Sequence, residues 1–348
     1  MALPPPPVEE VVPGLWSVPV VIPDNPLGYT LVYLFETPEG PVLVDTGWND
    51  PRAWTALVHG VAETGHAVAD VHGVLVTHVH PDHHGLSARV RDESGAWIAM
   101  HPADAEVVTR WRAAMDAWLL ETAAVMLSAG APEEVLAALP DFSSIASRAT
   151  ERDLPALPTR LFADGDWVGV PGWEVRAIWT PGHSPGHTCF LVDGRLLAGD
   201  HVMPRISPHI GLYDEESGAD PLGDYLASLR KVRGEPVTEV LPAHVGRFTA
   251  MTERVDELAA HHEERLAEIA AALADGPRTT WDLAESMAWN RRWEDIPPFM
   301  KRVALGEAVA HLRHLETRGV AERVPGAWPA SYRLTSAGSA GAPAPAAP

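Results

Sequence analysis

Along the first 250 residues, apolar positions gather in short runs closed by turn-forming residues. Leu15 to Val21 and Tyr29 to Phe35 are rich in Val, Leu and aromatic side chains, with Pro23, Asn25, Pro26 and Gly28 between them. Runs of this length between turn formers predict two adjacent strands. Pro41 to Val44, Val71 to Val76, Trp97 to Met100, Trp167 to Val170, Trp173 to Trp179, Arg195 to Gly199 and the run from Glu239 repeat the pattern and predict further strands. Arg52 to Thr64 reads as a helix between two of them.

Two stretches follow a different period. Residues 102 to about 150 are Ala-rich, with Trp111, Met115, Trp118, Leu119, Val125, Met126, Val135, Leu136 and Leu139 around Gly130-Ala131-Pro132. This predicts a helical insertion, whose apolar side chains either pack or wall a site. Beyond Phe248, Met251 to Leu273 predicts a long helix carrying Leu258, Leu266 and Ile269, broken at Gly276-Pro277. Thr280 or Asp282 caps a short helix. Val303 to Thr317 shows Leu305, Val309, Leu312 and Leu315 on one face and ends at Gly319. Val320 to Val324 and Ser331 to Leu334 flank Pro325-Gly326 as a hairpin. The chain thus divides into a Pro-rich, disordered start (1–12), a main domain (13–250), a helical domain (251–335) and a disordered tail (336–348).

Composition narrows the classes. A chain of 348 residues is long for one ordinary domain and suits a large domain plus a smaller one. A formal charge of −21 argues against a broad surface for polyanions, so nucleic acid is not the expected partner. Cys189 is the one cysteine, which excludes an internal disulfide and agrees with a reducing cytoplasm. No run approaches the roughly 18 apolar residues of a membrane span. The first residues lack the basic and apolar parts of a signal peptide.

The candidate chemistry sits where strands end. After Val71 to Val76 come Thr77-His78-Val79-His80-Pro81-Asp82-His83-His84-Gly85. Side chains two apart on extended backbone point the same way, so His78 and His80 can reach one ion. A turn at Pro81 would aim Asp82 and His83 at a neighbouring point. Imidazole and carboxylate suit zinc and similar divalent ions. Three further strands end in Thr180-Pro181-Gly182-His183-Ser184-Pro185-Gly186-His187, in Asp200-His201 and in His244. Strand ends on one edge of a sheet can converge. Asp45, after Val42-Leu43-Val44, either supports such a site or caps a turn. His84, His187 and His201 adjoin ligand candidates and are either pocket neighbours or packed histidines. Tyr213, in the stretch after Asp200, is a candidate donor to a substrate oxyanion.

His78-Val79-His80-Pro81-Asp82-His83 resembles the His-x-His-x-Asp-His signature of the metallo-β-lactamase-fold hydrolases. His183, Asp200 and His244 match that family's later ligand motifs in order, and Asp45 matches its early aspartate. The resemblance spans roughly residues 12 to 250. The Thr-Pro-Gly-His-Ser-Pro-Gly-His string looks most like the glyoxalase II branch. Asp200 stands where the zinc β-lactamases carry a Cys.

The resemblance implies an αβ/βα sandwich of two mixed sheets, an α/β (α+β) fold. It also implies two divalent metals: His78, His80 and His183 hold one, Asp82, His83 and His244 the other, and Asp200 bridges. Zinc is expected, and iron or manganese also suit such ligands. Two ions about 3.5 Å apart can share and activate a hydroxide. Asp82 would orient it or take its proton.

The expected activity is hydrolysis of a small-molecule thioester, ester or lactone, with hydroxyacylglutathione hydrolase the nearest named activity. A metal-dependent nuclease is the alternative. The helices and hairpin after residue 251 resemble a winged-helix tail, for which the mixed charges predict packing, homodimer formation or a pocket wall rather than a nucleic-acid grip.

Overall fold

The computed structural model describes residues 4–137, 154–212 and 218–341. Contacts divide the chain into two compact units: Met1–Ala113, Ile145–Pro208 and Ser228–Val255 form the first, and Ala114–Ser144, His209–Ala227 and Asp256–Pro348 the second.

The first unit holds two mixed sheets. One is built in spatial order from β1 (Glu9–Val12), β2 (Leu15–Val21), β3 (Tyr29–Phe35), β4 (Val42–Val44), β5 (Gly73–Leu75), β6 (Trp97–Met100) and β7 (Arg160–Leu161). Pairing is antiparallel up to β4 and parallel beyond it. The other contains β8 (Trp167–Val170), β9 (Trp173–Trp179), β10 (Thr188–Val192), β11 (Arg195–Gly199) and β12 (Glu239–Pro242). Its order is β12-β11-β10-β9-β8, parallel only between β11 and β12.

The side chains of β3 show why the strands read as continuous apolar runs. All seven residues are buried, because both faces are covered. Leu31, Tyr33 and Phe35 join Val42, Val44, Val175, Phe190, Leu197 and Leu241 in a core between the sheets. Val32 and Leu34, on the opposite face, meet Leu43, Val74 and helix α1 (Pro51–Glu63). The helix contributes Ala53, Leu57 and Val61, spaced four apart on one face. Asp50 caps it by accepting from Arg52 N, and Pro51 opens it. Leu57 is fully buried, so truncating it to Ala would cost about 2–5 kcal/mol.

Further along the chain lie α2 (Pro81–His84), α3 (Ser87–Ser94), α4 (Pro102–Ser128), α5 (Glu133–Ala137), α6 (Pro221–Arg233) and α7 (Met251–Leu273). The helix α4 is interrupted at Ala114, with φ −156° and ψ 62°. Residues 138–150 of the expected insertion lie outside the described residues. In the second unit α8 (Thr280–Ser286) and α9 (Pro298–Thr317) accompany a three-stranded antiparallel sheet of β13 (Arg278–Thr279), β14 (Ala321–Arg323) and β15 (Ser331–Leu334), in the order β13-β15-β14. Thr279 and Asp282 cap α8 reciprocally. Among the described residues no helix is long and apolar enough to cross a membrane.

Short elements lie within both stretches expected to be disordered. Residues 9–12 form β1, with Glu9 opposite Ser17 and Glu10 opposite Trp16. Pairing satisfies the outer edge of β2, and Val11 and Val12 pack against the inter-sheet core. At the other end Ser336–Gly341 forms a short helix, α10, with Thr335 Oγ1 accepting from Gly338 N. Residues 342–348 of the expected tail lie outside the described residues.

Candidate metal centre

The strands β4 and β5 run parallel, as do β11 and β12, so their C-terminal ends share an edge within each sheet. Asp45 follows β4, His78 and His80 follow β5, Asp200 follows β11 and His244 follows β12. Asp82 and His83 lie in α2, and His183 lies in the turn after β9. The two sheets are joined beside this edge. Thr188 N donates to Thr77 O at 2.8 Å and Leu31 N to Ala243 O at 2.7 Å. Tyr33 Oη donates to Pro242 O at 2.8 Å. Gly199 turns the chain with φ +49°, and a Cβ there would stand 2.8 Å from His187 Nε2, so the turn into Asp200 needs glycine.

Seven side chains converge. His80 Nδ1 lies 3.0 Å from His78 Nε2 and 2.9 Å from His183 Nε2. Asp200 Oδ2 is 3.3 Å from His183 Nε2, and its Oδ1 is 3.3 Å from both His83 Nε2 and His244 Nε2. Asp82 Oδ2 stands 3.4 Å from His244 Nε2 and 3.6 Å from His83 Nε2. Three donor sets arise: His78, His80 and His183; His78, His83 and Asp200; and Asp82, His83 and His244, with the ligand atoms of each set within 4.8 Å of one another.

A divalent ion fits these spacings. Ligand atoms about 2.0–2.2 Å from a tetrahedral ion stand roughly 3.3–3.6 Å apart, and closer where the angle narrows. His83 Nε2, His244 Nε2 and Asp200 Oδ1 are also buried without a hydrogen-bond partner among the described residues. Buried polar atoms are rarely left so.

The ring nitrogens facing away from the cluster explain its orientation. His83 Nδ1 donates to Asp45 Oδ2 at 2.8 Å and His244 Nδ1 to Tyr29 O at 2.8 Å. Thr77 donates to Asp45 from both N and Oγ1, each at 2.8 Å. Its hydroxyl proton being used, Thr77 Oγ1 accepts from His78 Nδ1 at 3.0 Å. Each Nε2 lone pair is thereby left for the cluster. Asp45 holds φ +65° and Val245, beside His244, φ +72°. For a β-branched residue that conformation is strained by about 1–3 kcal/mol, and Tyr29 Oη donating to Val245 O at 2.8 Å helps hold it.

Burial pushes His80 down to about 3, with His183 beside it adding to the effect. Burial and the imidazoles of His83, His80 and His183 likewise hold His78 well below the usual range. Burial alone would raise Asp82, but His83 and His244 hold it at about 2. His244 moves the other way: Asp200 and Asp82 outweigh its burial and lift it to about 10. Asp200, Asp82 and Asp45 also raise His83 well above the usual range against its burial. The carboxylates therefore call for positive charge, as protons on His83 and His244 or as a divalent cation.

The remaining candidates fall at different places. His187 is buried, with Nδ1 2.8 Å from Thr180 Oγ1, and its Nε2 accepts from Asp200 N at 3.2 Å. It therefore steadies the backbone of Asp200. His201 is buried behind it, with ring centres 5.8 Å apart. His84 donates from Nε2 to Ala156 O at 2.9 Å, a bond to backbone rather than to the cluster. Tyr213 lies outside the described residues. Sequence reasoning missed Thr77, Thr180 and Asp104. Asp104 is buried and accepts from Val79 N, Ser184 Oγ and Gly186 N. Burial pushes its carboxyl up to about 6 although all three donors pull it down. Its place just after β6 was the available signal, since other site residues also follow strand ends.

Two mixed sheets meeting at a buried cluster of five His and two Asp define a metal-binding α/β sandwich. Residues 25–244 match the family model of the metallo-beta-lactamase superfamily, and the chain belongs to that superfamily. A probable metallo-hydrolase, YqjP of Bacillus subtilis, is 26% identical over 274 residues, covering 75% of this chain and 81% of that protein. An atrochrysone carboxyl ACP thioesterase of Aspergillus fumigatus is 30% identical over 165 residues, 42% of this chain and 49% of its own length. The crystal structure of the metallo-beta-lactamase family protein TTHA1429 from Thermus thermophilus superimposes with a TM-score of 0.79 at 32% identity, covering 94% of this chain and all of that one. Family and relatives support a hydrolase.

Proposed function

We propose that this protein is a dinuclear zinc hydrolase of a small-molecule thioester, ester or lactone. The observation that carries the reading is the placement of Asp200. One oxygen faces His183 Nε2 and the other faces His83 and His244, so a single carboxylate spans two donor sets. His78, His80 and His183 would hold one ion, and Asp82, His83 and His244 the other. Bound ions of this kind act as Lewis acids and lower the pKa of water toward neutrality. The chain's part is to hold the ring nitrogens and carboxylates in place. Asp82, the one carboxylate in the second donor set, would orient the attacking water or take its proton.

The thioester class draws support from the thioesterase relative. A glutathione thioester, as the glyoxalase II likeness suggests, is less well served. Arg247, the cation just after His244, is engaged by Glu239 at 2.5 Å and Glu9 at 2.6 Å, which leaves it committed elsewhere.

The nuclease reading has one favourable observation. The order helix, strand, two helices and two strands, with sheet order β13-β15-β14, supports a winged-helix tail. Yet Arg318 pairs with Glu263, Arg333 with Glu322 and Arg313 with Glu316, so these cations do not form a basic stripe.

Metal content by elemental analysis, paired with turnover of an acyl thioester, an aryl ester, a lactone, nitrocefin and a labelled RNA, tests the proposal. Two zinc ions per chain with thioester, ester or lactone cleavage, lost in His183→Ala, is the expected result. RNA cleavage alone would favour the nuclease. A chain that takes up no metal would overturn both.

A further inference from the structure

We propose that Asp104 is a positioning residue that sets the geometry of one ion site, that of His78, His80 and His183, and not of the other. The inference rests on the dinuclear reading above. Asp104 lies in the first turn of α4, 25 residues from Val79 and 80 from Ser184. Its carboxylate joins those two distant loops. Oδ2 accepts from Val79 N and from Ser184 Oγ, each at 2.8 Å, and Oδ1 accepts from Gly186 N at 2.6 Å. Val79 sits between His78 and His80, and Ser184 follows His183. All three side chains of that set therefore hang from two loops whose separation one carboxylate fixes.

The other set is braced elsewhere. His83 bonds Asp45 and His244 bonds Tyr29 O, and the bonds of Asp104 described above reach neither loop. The fit at Gly186 shows how closely the clamp is built. A Cβ there would stand 2.7 Å from Asp104 Cβ and Cγ and 2.5 Å from its backbone N. The second glycine of Gly182-His183-Ser184-Pro185-Gly186-His187 is thus the one that lets the two loops close on the carboxylate.

The chemistry asks for an acid. Three donors converge on two oxygens, and a carboxylate has no hydrogen to oppose them. Asparagine would turn an NH₂ toward at least one of them, and only the Ser184 hydroxyl can rotate to accept it.

The test uses the full chain as wild type, Asp104→Asn and Ser184→Ala. Zinc affinities come from chelator competition, cobalt(II) absorption reports each site, and circular dichroism and melting of the metal-free proteins report folding. Asp104→Asn is expected to weaken one ion by about 10–100-fold and leave the other unchanged. The cobalt band that fades should be the one His183→Ala removes. Ser184→Ala should shift the same ion in the same direction by less, with a metal-free melting temperature near wild type, which covers the case in which Asp104→Asn does not fold. Folded variants in which both ions weaken equally, or neither does, would overturn the inference. Wild type that binds no pair of ions would overturn the dinuclear reading itself, and this inference with it.

Discussion

His83 Nδ1 stands 2.8 Å from Asp45 Oδ2, with both side chains buried. A carboxylate only accepts, so the ring proton lies on Nδ1 and Nε2 faces the cluster. Through Thr77 the same Asp45 also sets the tautomer of His78. One carboxylate thereby orients histidines in both proposed ion sites, unlike Asp104.

Asp45→Ala is accordingly expected to weaken both ions, each by about 10–100-fold. It would also leave Thr77 N, Thr77 Oγ1 and His83 Nδ1 without their acceptor. At about 1–3 kcal/mol per buried unsatisfied group, the metal-free protein should melt several degrees lower. Chelator competition and scanning calorimetry check the two parts separately. Unchanged affinity for either ion would contradict the assignment.

Asp200→Ala distinguishes a bridge from a ligand of one ion. If Asp200 spans both sets, its loss should lower occupancy at both sites, whereas His183→Ala should leave about one zinc per chain, held by the other set. Elemental analysis after dialysis against equal free zinc reads the difference. Equal metal content in the two variants would show that Asp200 serves a single ion.

Metal-free protein should be most stable near pH 6.5. His80, at about 3, and His84, held at about 4 mainly by burial, are neutral in the fold where the unfolded chain would be charged. Their depressed values give stability that is present above the unfolded value of about 6.5 and lost as pH falls toward 3–4. His244 has the opposite sign. Raised to about 10, it gives stability that is full below about 6.5 and lost as pH rises through 10. Melting temperature against pH should therefore form a dome. Excess zinc should flatten its alkaline limb, because the ion takes the place of the proton on His244. A melting temperature that rises steadily to pH 10 without metal would refute the assigned direction.

How much of this was legible depends on sequence distance. His78 to His83 are nearly contiguous, and strand periodicity with Pro81 is enough to place them together. His183, Asp200 and His244 show as polar residues closing apolar runs. His84 reads like His83, yet neighbouring positions on a helix turn by about 100°, and α2 sends His83 to Asp45 and His84 to Ala156 O. Asp104 stayed hidden because its bonds join loops 25 and 80 residues away, and no local pattern carries such pairing. The strand β1 escaped notice for a related reason. Four residues beside a proline-rich start become a strand only because the edge of β2 is there to receive them.

Cys189 offers the last test, since a lone thiol in a hydrolase invites a nucleophilic role. It lies in β10, fully buried, and burial pushes its thiol up to about 12 despite Thr180 Oγ1 at 3.4 Å. At pH 8 that leaves roughly 10⁻⁴ as thiolate, against about a quarter for a free cysteine. A buried thiol so seldom ionised makes a poor nucleophile. Disulfide-exchange reagents should therefore fail to label the native protein and should label one thiol per chain in denaturant. Iodoacetamide should leave activity intact, and Cys189→Ala should turn over at near the wild-type rate. Rapid native labelling with parallel loss of activity would place Cys189 in the chemistry and would weaken the case for a site built from imidazole and carboxylate alone.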